Sequence, residues 1–570
     1  DLNDISNQPM SNHDNSLHIV YNGELYNFVN IKNKLIKKGY SFKTLSDTEV
    51  VLYAYEEWGS DCLTKFNGMF SFAINDERKN LVFIARDRAG IKPLYYFEKQ
   101  GKLVFSSEIK SILNFSECKK SIDKIALRNN FIFRYTSTEN TLFKSIKKFP
   151  SGHYGIIKNG TLKKYQYWNV ENFSPENNNK SFAHYFEEFS YLLEDSVRKR
   201  LVSDVPFGMY LSGGIDSTVI LSIMNNYCGD NVNTYSIDFI PSIGEGAAAS
   251  KIASEFNTNH HEINISEKDL GLFPQIVKFL DEPQGDAIIL PSYKLSLEAS
   301  KDVKMVLTGE GADEILTGYQ FFKSVHYIQK YRYFSHLIRS FIKLSPNFLI
   351  NWLSNHPGNF QNKSKNRILN ILFNDGINFD EKLNGLISLF DKDDINKLLL
   401  IPMDNENHFI SKSYSLDSMQ KQFFGDWLPN NILWRQDRMT MANSIEGRVP
   451  FLDHRLVEFA FMLPEKYKIN RFIDKYILRQ YCNKKIKFFN SKLRKKPFYI
   501  PLQYYMTTDT MNDFISTYLT KEKIEQAGIL NWNFVEQSIK NKNNLDFLFS
   551  KQLFSILMFQ MWYESYIKVN

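Results

Sequence analysis

Tyr210-Leu211-Ser212-Gly213-Gly214-Ile215-Asp216-Ser217-Thr218 is the stretch on which the reading of this chain turns. An apolar strand runs into Ser-Gly-Gly and a helix follows. The paired glycines let the backbone turn tightly and present bare N–H groups. The helix N-terminus adds the positive end of its dipole, so the turn forms a cradle for an anion. Hydroxyls of Ser212, Ser217 and Thr218 can donate to phosphate oxygens there. Asp216 would repel phosphate unless a cation lies between them, which implies Mg2+. The Gly-Lys-Ser/Thr ending of a Walker A loop is absent. Ser-Gly-Gly alone suits an ordinary strand–helix turn with the aspartate as helix cap equally well. The full string placed after a strand favours the phosphate.

The same logic recurs at Lys304-Met305-Val306-Leu307-Thr308-Gly309-Glu310-Gly311-Ala312-Asp313-Glu314. A buried strand ends in a glycine-flanked loop rich in carboxylates. Ligands of parallel sheets gather at the C-terminal ends of strands. The two strand tips are therefore expected to face one site, with Asp216 and Asp313 sharing Mg2+ and Glu310 left for base chemistry. A solvated acidic loop is the plain alternative. The strand and the glycines weigh against it without excluding it.

Working outward, apolar runs at 208–211, 233–239 and 304–307 alternate with helical pattern, as in an α/β parallel sheet covered on both faces. From Gln320 onward the pattern is mainly helical. Upstream, short apolar runs at 17–21, 70–74, 81–85, 94–97 and 103–106, with helical pattern at 27–38 and 47–58, read as an α+β domain. Residues 166–182 are polar and read as a linker. The expected division is 1–165, then 183–510, then a helical extension over 511–570.

Composition narrows the classes. At 570 residues the chain exceeds one ordinary core. Its formal charge of +7 is spread among interleaved acids and bases, which argues against a nucleic-acid strip. No apolar run is long enough to span a membrane. Cys62, Cys118, Cys228 and Cys482 form no CxxC pair and read as reduced thiols of a cytoplasmic protein.

Several segments carry a family resemblance: Leu-Ser-Gly-Gly-Ile-Asp-Ser, Gly-Glu-Gly-Ala-Asp-Glu, Asp281-Glu282-Pro283, Glu446-Gly447-Arg448-Val449-Pro450-Phe451-Leu452-Asp453 and Lys475-Tyr476-Ile477-Leu478-Arg479. The first resembles the pyrophosphate loop of ATP pyrophosphatases. Together they resemble glutamine-dependent asparagine synthetases, from about residue 1 to about Tyr505. The resemblance implies ATP contacts at Leu211, Ser212, Gly213, Gly214, Asp216, Ser217, Ile237, Thr308 and Gly309. It implies Glu310 as the base that takes a proton from attacking ammonia, and Lys475 as the cation that stabilises pentavalent phosphorus. Spacing alone would leave Lys475 among surface lysines. Arg494, Lys496 and Phe498 resemble a later basic loop and receive no role.

Tyr21-Asn22-Gly23-Glu24-Leu25-Tyr26-Asn27 reads by itself as a turn after a strand. It is also similar to a segment of class II glutaminase domains, which have an N-terminal-nucleophile (Ntn) fold. That likeness implies an oxyanion hole from Asn22 and Gly23, a grip on glutamine by Glu24, and binding of its α-amino group by Asp47 of Ser46-Asp47-Thr48-Glu49. Arg86 to Tyr96 matches a structural segment of the family. The family uses an N-terminal Cys as nucleophile. Asp1-Leu2 and Gln8-Pro9 match positions downstream of that start. The nucleophile, a glutamine-binding Arg and the first strands are thus expected to precede Asp1. Cys62, in helical pattern, is no substitute. On this expectation the chain as written draws on free ammonia.

The implied reaction joins a carboxylate to the α-phosphorus of MgATP, releases PPi, and lets ammonia displace AMP. In the complete family enzyme, ammonia passes through the domain interface from the glutaminase side. Asp286-Ala287-Ile288-Ile289-Leu290-Pro291 keeps the family's acceptor segment only in part. Aspartate is the expected acceptor, a sugar uronate the runner-up. A non-catalytic scaffold and a ring-closing ligase of the β-lactam synthetase kind are the other readings. The family suggests a homodimer.

Overall fold

The computed structural model describes residues 4–176, 180–229, 232–240, 245–330, 335–346, 367, 369–371, 373, 379–400, 415–488, 500–542 and 547–568. Asp1, Leu2, Arg494, Lys496 and Phe498 lie outside these residues.

Strands β1 (Met10–Ser11), β2 (Leu17–Leu25), β3 (Gly68–Asp76), β4 (Leu81–Arg86), β5 (Tyr95–Lys99), β6 (Lys102–Ser106), β7 (Ile146–Lys148), β8 (His153–Lys158) and β9 (Thr161–Gln166) come first. Six of them form an antiparallel sheet in the order β1-β2-β3-β4-β8-β9, and three form a smaller sheet, β6-β5-β7. Helix Asp47–Trp58 packs on β2, started by Ser46, whose hydroxyl accepts from Thr48 N.

β10 (Phe207–Tyr210), β11 (Asn233–Phe239), β12 (Asn259–Ile265), β13 (Met305–Leu307) and β14 (Glu446–Arg448) form a second, parallel sheet in the order β12-β11-β10-β13-β14. Its central strands are apolar because helices cover both faces. β12 alternates exposed and buried residues, as an edge strand can. β14 is three residues long, too short for any period to announce it.

The closing helix, Phe547–Tyr566, is more enclosed than an amphipathic pattern implies. Every residue from Gln552 to Trp562 is buried. Two of its polar side chains are bonded inside the molecule: Gln552 Nε2 donates to Leu389 O at 2.9 Å and Trp562 Nε1 to Asp281 O at 3.0 Å. Among the described residues no helix is long and apolar enough to cross a membrane.

The two sheets share core. One apolar cluster joins Tyr95, Phe97, Leu127, Phe131 and Leu142 to Tyr235, Phe273, Phe559 and Trp562. Polar ties cross the same boundary. Asp281 accepts from Ile109 N at 2.8 Å, and Glu282 accepts from Thr136 Oγ1 at 2.7 Å and Leu142 N at 2.6 Å. The Asp281-Glu282-Pro283 segment is thus a clamp on the first domain, its carboxylates shared among backbone and hydroxyl donors and the cations Arg438, 2.6 Å from Asp281, and Lys148, 3.8 Å from Glu282.

Candidate functional site

Leu211 prolongs β10 through its N–H to Tyr235 O, 2.8 Å away, and the chain then turns. Gly213 has φ +68° and lies so close to helix Glu245–Glu255 that a Cβ would meet that of Ala248 at 2.9 Å. Only glycine fits there. Gly214 caps helix Ile215–Cys228, so Asp216 is in the first turn and its carboxylate is not the cap. The hydroxyls of Ser212 and Ser217 face each other at 3.1 Å. Thr218 departs from expectation. It is buried, and its hydroxyl donates to Gly214 O at 2.7 Å, so the backbone has taken the group assigned to phosphate.

The second strand tip meets the first. A Cβ on Gly309 would lie 3.1 Å from that of Asp216. Gly311, at φ +91°, turns the chain into helix Ala312–Leu316 and brings Asp313 inward. Both Asp216 oxygens lie 2.7 Å from Lys475 Nζ, and Asp313 Oδ1 lies 2.6 Å from the same atom. Lys475 is 2% exposed and stands in a left-handed conformation, φ +47°, at the cap of helix Tyr476–Lys485. It is therefore no surface lysine. The two aspartates outweigh its burial and hold the ammonium above its ordinary range. Gly318 makes room: a Cβ there would sit 2.0 Å from both Lys475 Cε and Asp313 Oδ1. Sequence reading passed over Gly318 because nothing local marks it.

Glu310 occupies the half-buried turn between β13 and that helix. Glu314 beneath it is fully enclosed. Burial first, then the charges of Asp313 and Glu310, raise its carboxyl to about 7, while Tyr319 Oη donates to it at 2.6 Å. Thr308 N donates to Arg448 O at 3.0 Å, and Thr308 Oγ1 accepts from Gln436 Nε2 at 3.2 Å. Ile237, on the neighbouring β11, is buried near the strand's C-terminal end.

The residues assigned to glutamine also assemble, but not as a turn. β2 continues through Asn22, Gly23 and Glu24, paired with Ser71, Phe70 and Met69 of β3. A Cβ on Gly23 would lie 2.2 Å from Met69 O, so glycine serves close approach here. Asp47 accepts from Leu25 N at 2.8 Å. Opposite them stand Glu446 and Arg448 of β14, with Arg448 reaching Glu24 at 3.0 Å and Glu446 at 2.7 Å. Burial, with help from Asp47 and Glu446 and against Arg448, pushes Glu24 up to about 8; burial raises Asp47 as well. Arg448 was quoted within a motif but given no role. Its side chain holds Glu24 while its carbonyl holds Thr308, so one residue joins the two predicted sites. Cys62 is buried in a short helix, where desolvation drives its thiol far up, as an inert core cysteine requires.

Asp216 and Asp313 are also the candidate metal ligands. They offer hard oxygens from two elements to one cationic point. Among the described residues no group of three or more His, Cys, Asp or Glu could hold an ion. Two carboxylates suit Mg2+, which binds through one or two of them and completes its shell with phosphate and water.

Two family models match the chain. The glutamine amidotransferase domain model matches residues 1–168, and the asparagine synthase model residues 188–564. The chain is 32% identical to asparagine synthetase [glutamine-hydrolyzing] 3 of Bacillus subtilis over 484 residues, 81% of this chain and 72% of that protein. It is 28% identical to asparagine synthetase [glutamine-hydrolyzing] 1 of the same organism over 568 residues, 98% of this chain and 87% of that protein. With two strand tips converging on Lys475 and a matched glutaminase-type sheet clamped against them, the chain belongs to the asparagine synthase family.

Proposed function

We propose that this chain is an ATP-dependent ligase that converts aspartate and ammonia to asparagine, with AMP and PPi as the other products. The observation that carries the proposal is the meeting of Asp216, Asp313 and Lys475 at the tips of β10 and β13. Bare N–H groups of the Ser212–Gly214 turn and the hydroxyls of Ser212 and Ser217 bind the β- and γ-phosphates. Asp216 and Asp313 would hold Mg2+, whose charge would offset that of the phosphates. Lys475 stabilises the charge that builds on the α-phosphate as the aspartate side chain attacks. Glu310 accepts the proton that ammonia sheds on attacking the acyl carbon. Leu211, Ile237, Thr308 and Gly309 line the nucleotide's place.

Asn22, Gly23, Glu24 and Asp47 belong in this proposal to the glutamine side. The contact of Glu24 with Arg448, whose carbonyl binds Thr308, supports delivery of ammonia across the domain boundary. The test is product analysis. The purified chain is given MgATP, ammonium and aspartate, and AMP and asparagine are measured against a control lacking aspartate. Equal AMP in both, from protein that is folded by circular dichroism, overturns the proposal.

A further inference from the structure

Lys475 does not stand between Asp216 and Asp313 by its own preference. It caps helix Tyr476–Lys485 with φ +47° and ψ +40°. Capping residues are ordinarily extended and bring a side-chain oxygen to the first turn, so a left-handed lysine gains nothing there. Arg471 and Phe472, in the turn before it, are left-handed as well, at φ +46° and +66°. Asn470 and Ile473 exchange both backbone bonds across them at 2.9 Å, a tight reversal that usually takes Asn-Gly. Bulky residues so placed are strained, and such strain persists where the surroundings over-determine it.

Helix Gln320–Lys330 supplies those surroundings. Lys323 and Tyr327 stand one turn apart on it and share a face. Phe472 N donates to Tyr327 Oη at 2.9 Å, and the two rings stack with centroids 4.0 Å apart. Phe472 is 64% exposed, so general burial does not hold it there. Lys323 Nζ lies 2.6 Å from Asp474 Oδ2, while Arg479 reaches Asp474 Oδ1 at 2.5 Å and its carbonyl at 2.8 Å. Burial works against the Asp474 charge, yet Lys323 and Arg479 keep its carboxyl below the ordinary range. The strained turn and the residue next to Lys475 are thus both fixed from this helix.

The same helix is tied to the other half of the cluster. Helix Ala312–Leu316, which carries Asp313, ends at Thr317 with φ +56°, and Gly318 N donates back to Asp313 O at 2.9 Å. After Tyr319 the helix Gln320–Lys330 begins. Its start is anchored to Asp313 through the chain, and its Lys323 and Tyr327 reach Lys475 through Asp474 and the Phe472 turn. A hydrogen-bonded helix is stiff, so one rod carrying both attachments sets the separation of Asp313 and Lys475, which is 2.6 Å. Gly318, whose missing side chain leaves Lys475 its room, lies at the junction.

We propose that helix Gln320–Lys330 is the positioning element of the nucleotide site, with Lys323 and Tyr327 as positioning residues that hold Lys475 in register with Asp313 by fixing the turn in front of it. The part this register plays in turnover rests on the ligase reading; the register itself does not, and the two are measured apart.

The intact chain is compared with Tyr327→Leu, Tyr327→Phe, Lys323→Met and Lys323→Arg, each shown to be folded by circular dichroism. The first readout is acetylation of lysines by acetic anhydride, followed peptide by peptide in a mass spectrometer. A buried, paired ammonium reacts slowly, so Lys475 should label far behind exposed Lys466 in the wild type. Lys323→Met and Tyr327→Leu should speed labelling of Lys475 about ten-fold with Lys466 unchanged, and Lys323→Arg should restore the slow rate. In turnover, kcat for AMP formation should fall about ten-fold in Lys323→Met and about a hundred-fold in Tyr327→Leu while KM for MgATP stays the same, because a displaced charge is felt in the transition state. Unaltered labelling of Lys475 in the folded variants overturns the proposal, as does faster labelling with undiminished kcat or a loss shared equally by kcat and KM. If Tyr327→Leu fails to fold, Tyr327→Phe and Lys323→Met decide the matter by the same readouts. Faster labelling of Lys475 in the variants beside a wild type that forms no AMP overturns the ligase reading and leaves the register standing.

Discussion

At the tips of β10 and β13 two aspartates share one buried lysine; across the domain boundary Glu24 and Glu446 share one arginine, with the charge of Asp47 acting on Glu24. The ratio of acids to base decides what each region does with its charge. Lys475 is held firmly charged by its two partners. That place suits a cation, and a metal ion held by the two aspartates would supply one in the ammonium's stead. Round Arg448 there is more acid than base, and burial lifts both Glu24 and Asp47. There the fold holds on to the Glu24 proton instead. The two clusters differ in charge as their ratios of acid to base predict.

The comparison breaks most easily at Lys475. Lys475→Met is expected to lower AMP formation about a thousand-fold, the range for losing a preorganised charge at a transition state. It is also expected to cost about 3 kcal/mol in urea unfolding, because two carboxylates lose their cation. Normal turnover would remove Lys475 from the chemistry. Gly318→Ala sharpens the claim that position matters beside charge. Its methyl displaces Lys475 Cε, and activity should fall about a hundred-fold, as expected for a shift near 1 Å, while Lys475 itself is unaltered.

Removing divalent ions tests the cation exchange. ATP with EDTA should give none of the thermal protection that MgATP gives, a difference of about 2.7 kcal/mol at a hundred-fold excess over Kd. Equal protection would mean that Lys475 alone serves the phosphates. The smallest effect is expected on the glutamine side. Glu24 ordinarily titrates at 4.5 and is raised to about 8 in the fold. The folded chain therefore retains a proton that the unfolded chain releases, and stability falls as pH rises through that window. Glu24→Gln removes this loss, so its melting temperature should exceed that of the wild type by a few degrees at pH 9 and match it near pH 4. Parallel pH curves would show that Glu24 carries no such proton.

Much of the frame was legible in the residues. The run 233–239 coincides with β11, and 47–58 with a capped helix, because each has an undisturbed period and a clear boundary. The meeting of Asp216 and Asp313 was legible too, since strand tips in parallel sheets share an edge. Three-residue β14 was not, and the Asn-Gly pair misled, because its glycine answers the close backbone of β3 and not a turn. Thr218 looked like a phosphate donor from its place in the loop; the helix claimed its hydroxyl.

By itself the sequence determined the alternation of strands and helices, the two glycine-flanked loops, and the family those loops announce, since each depends on neighbours within one turn or strand. Tertiary structure alone decided that Lys475 lies buried between aspartates, that Gly318 leaves its arm room, and that Arg448 holds Glu24 and Thr308 together. Charge balance and steric fit at those points depend on groups far apart along the chain, and distance in space is fixed only when the cores of both sheets close.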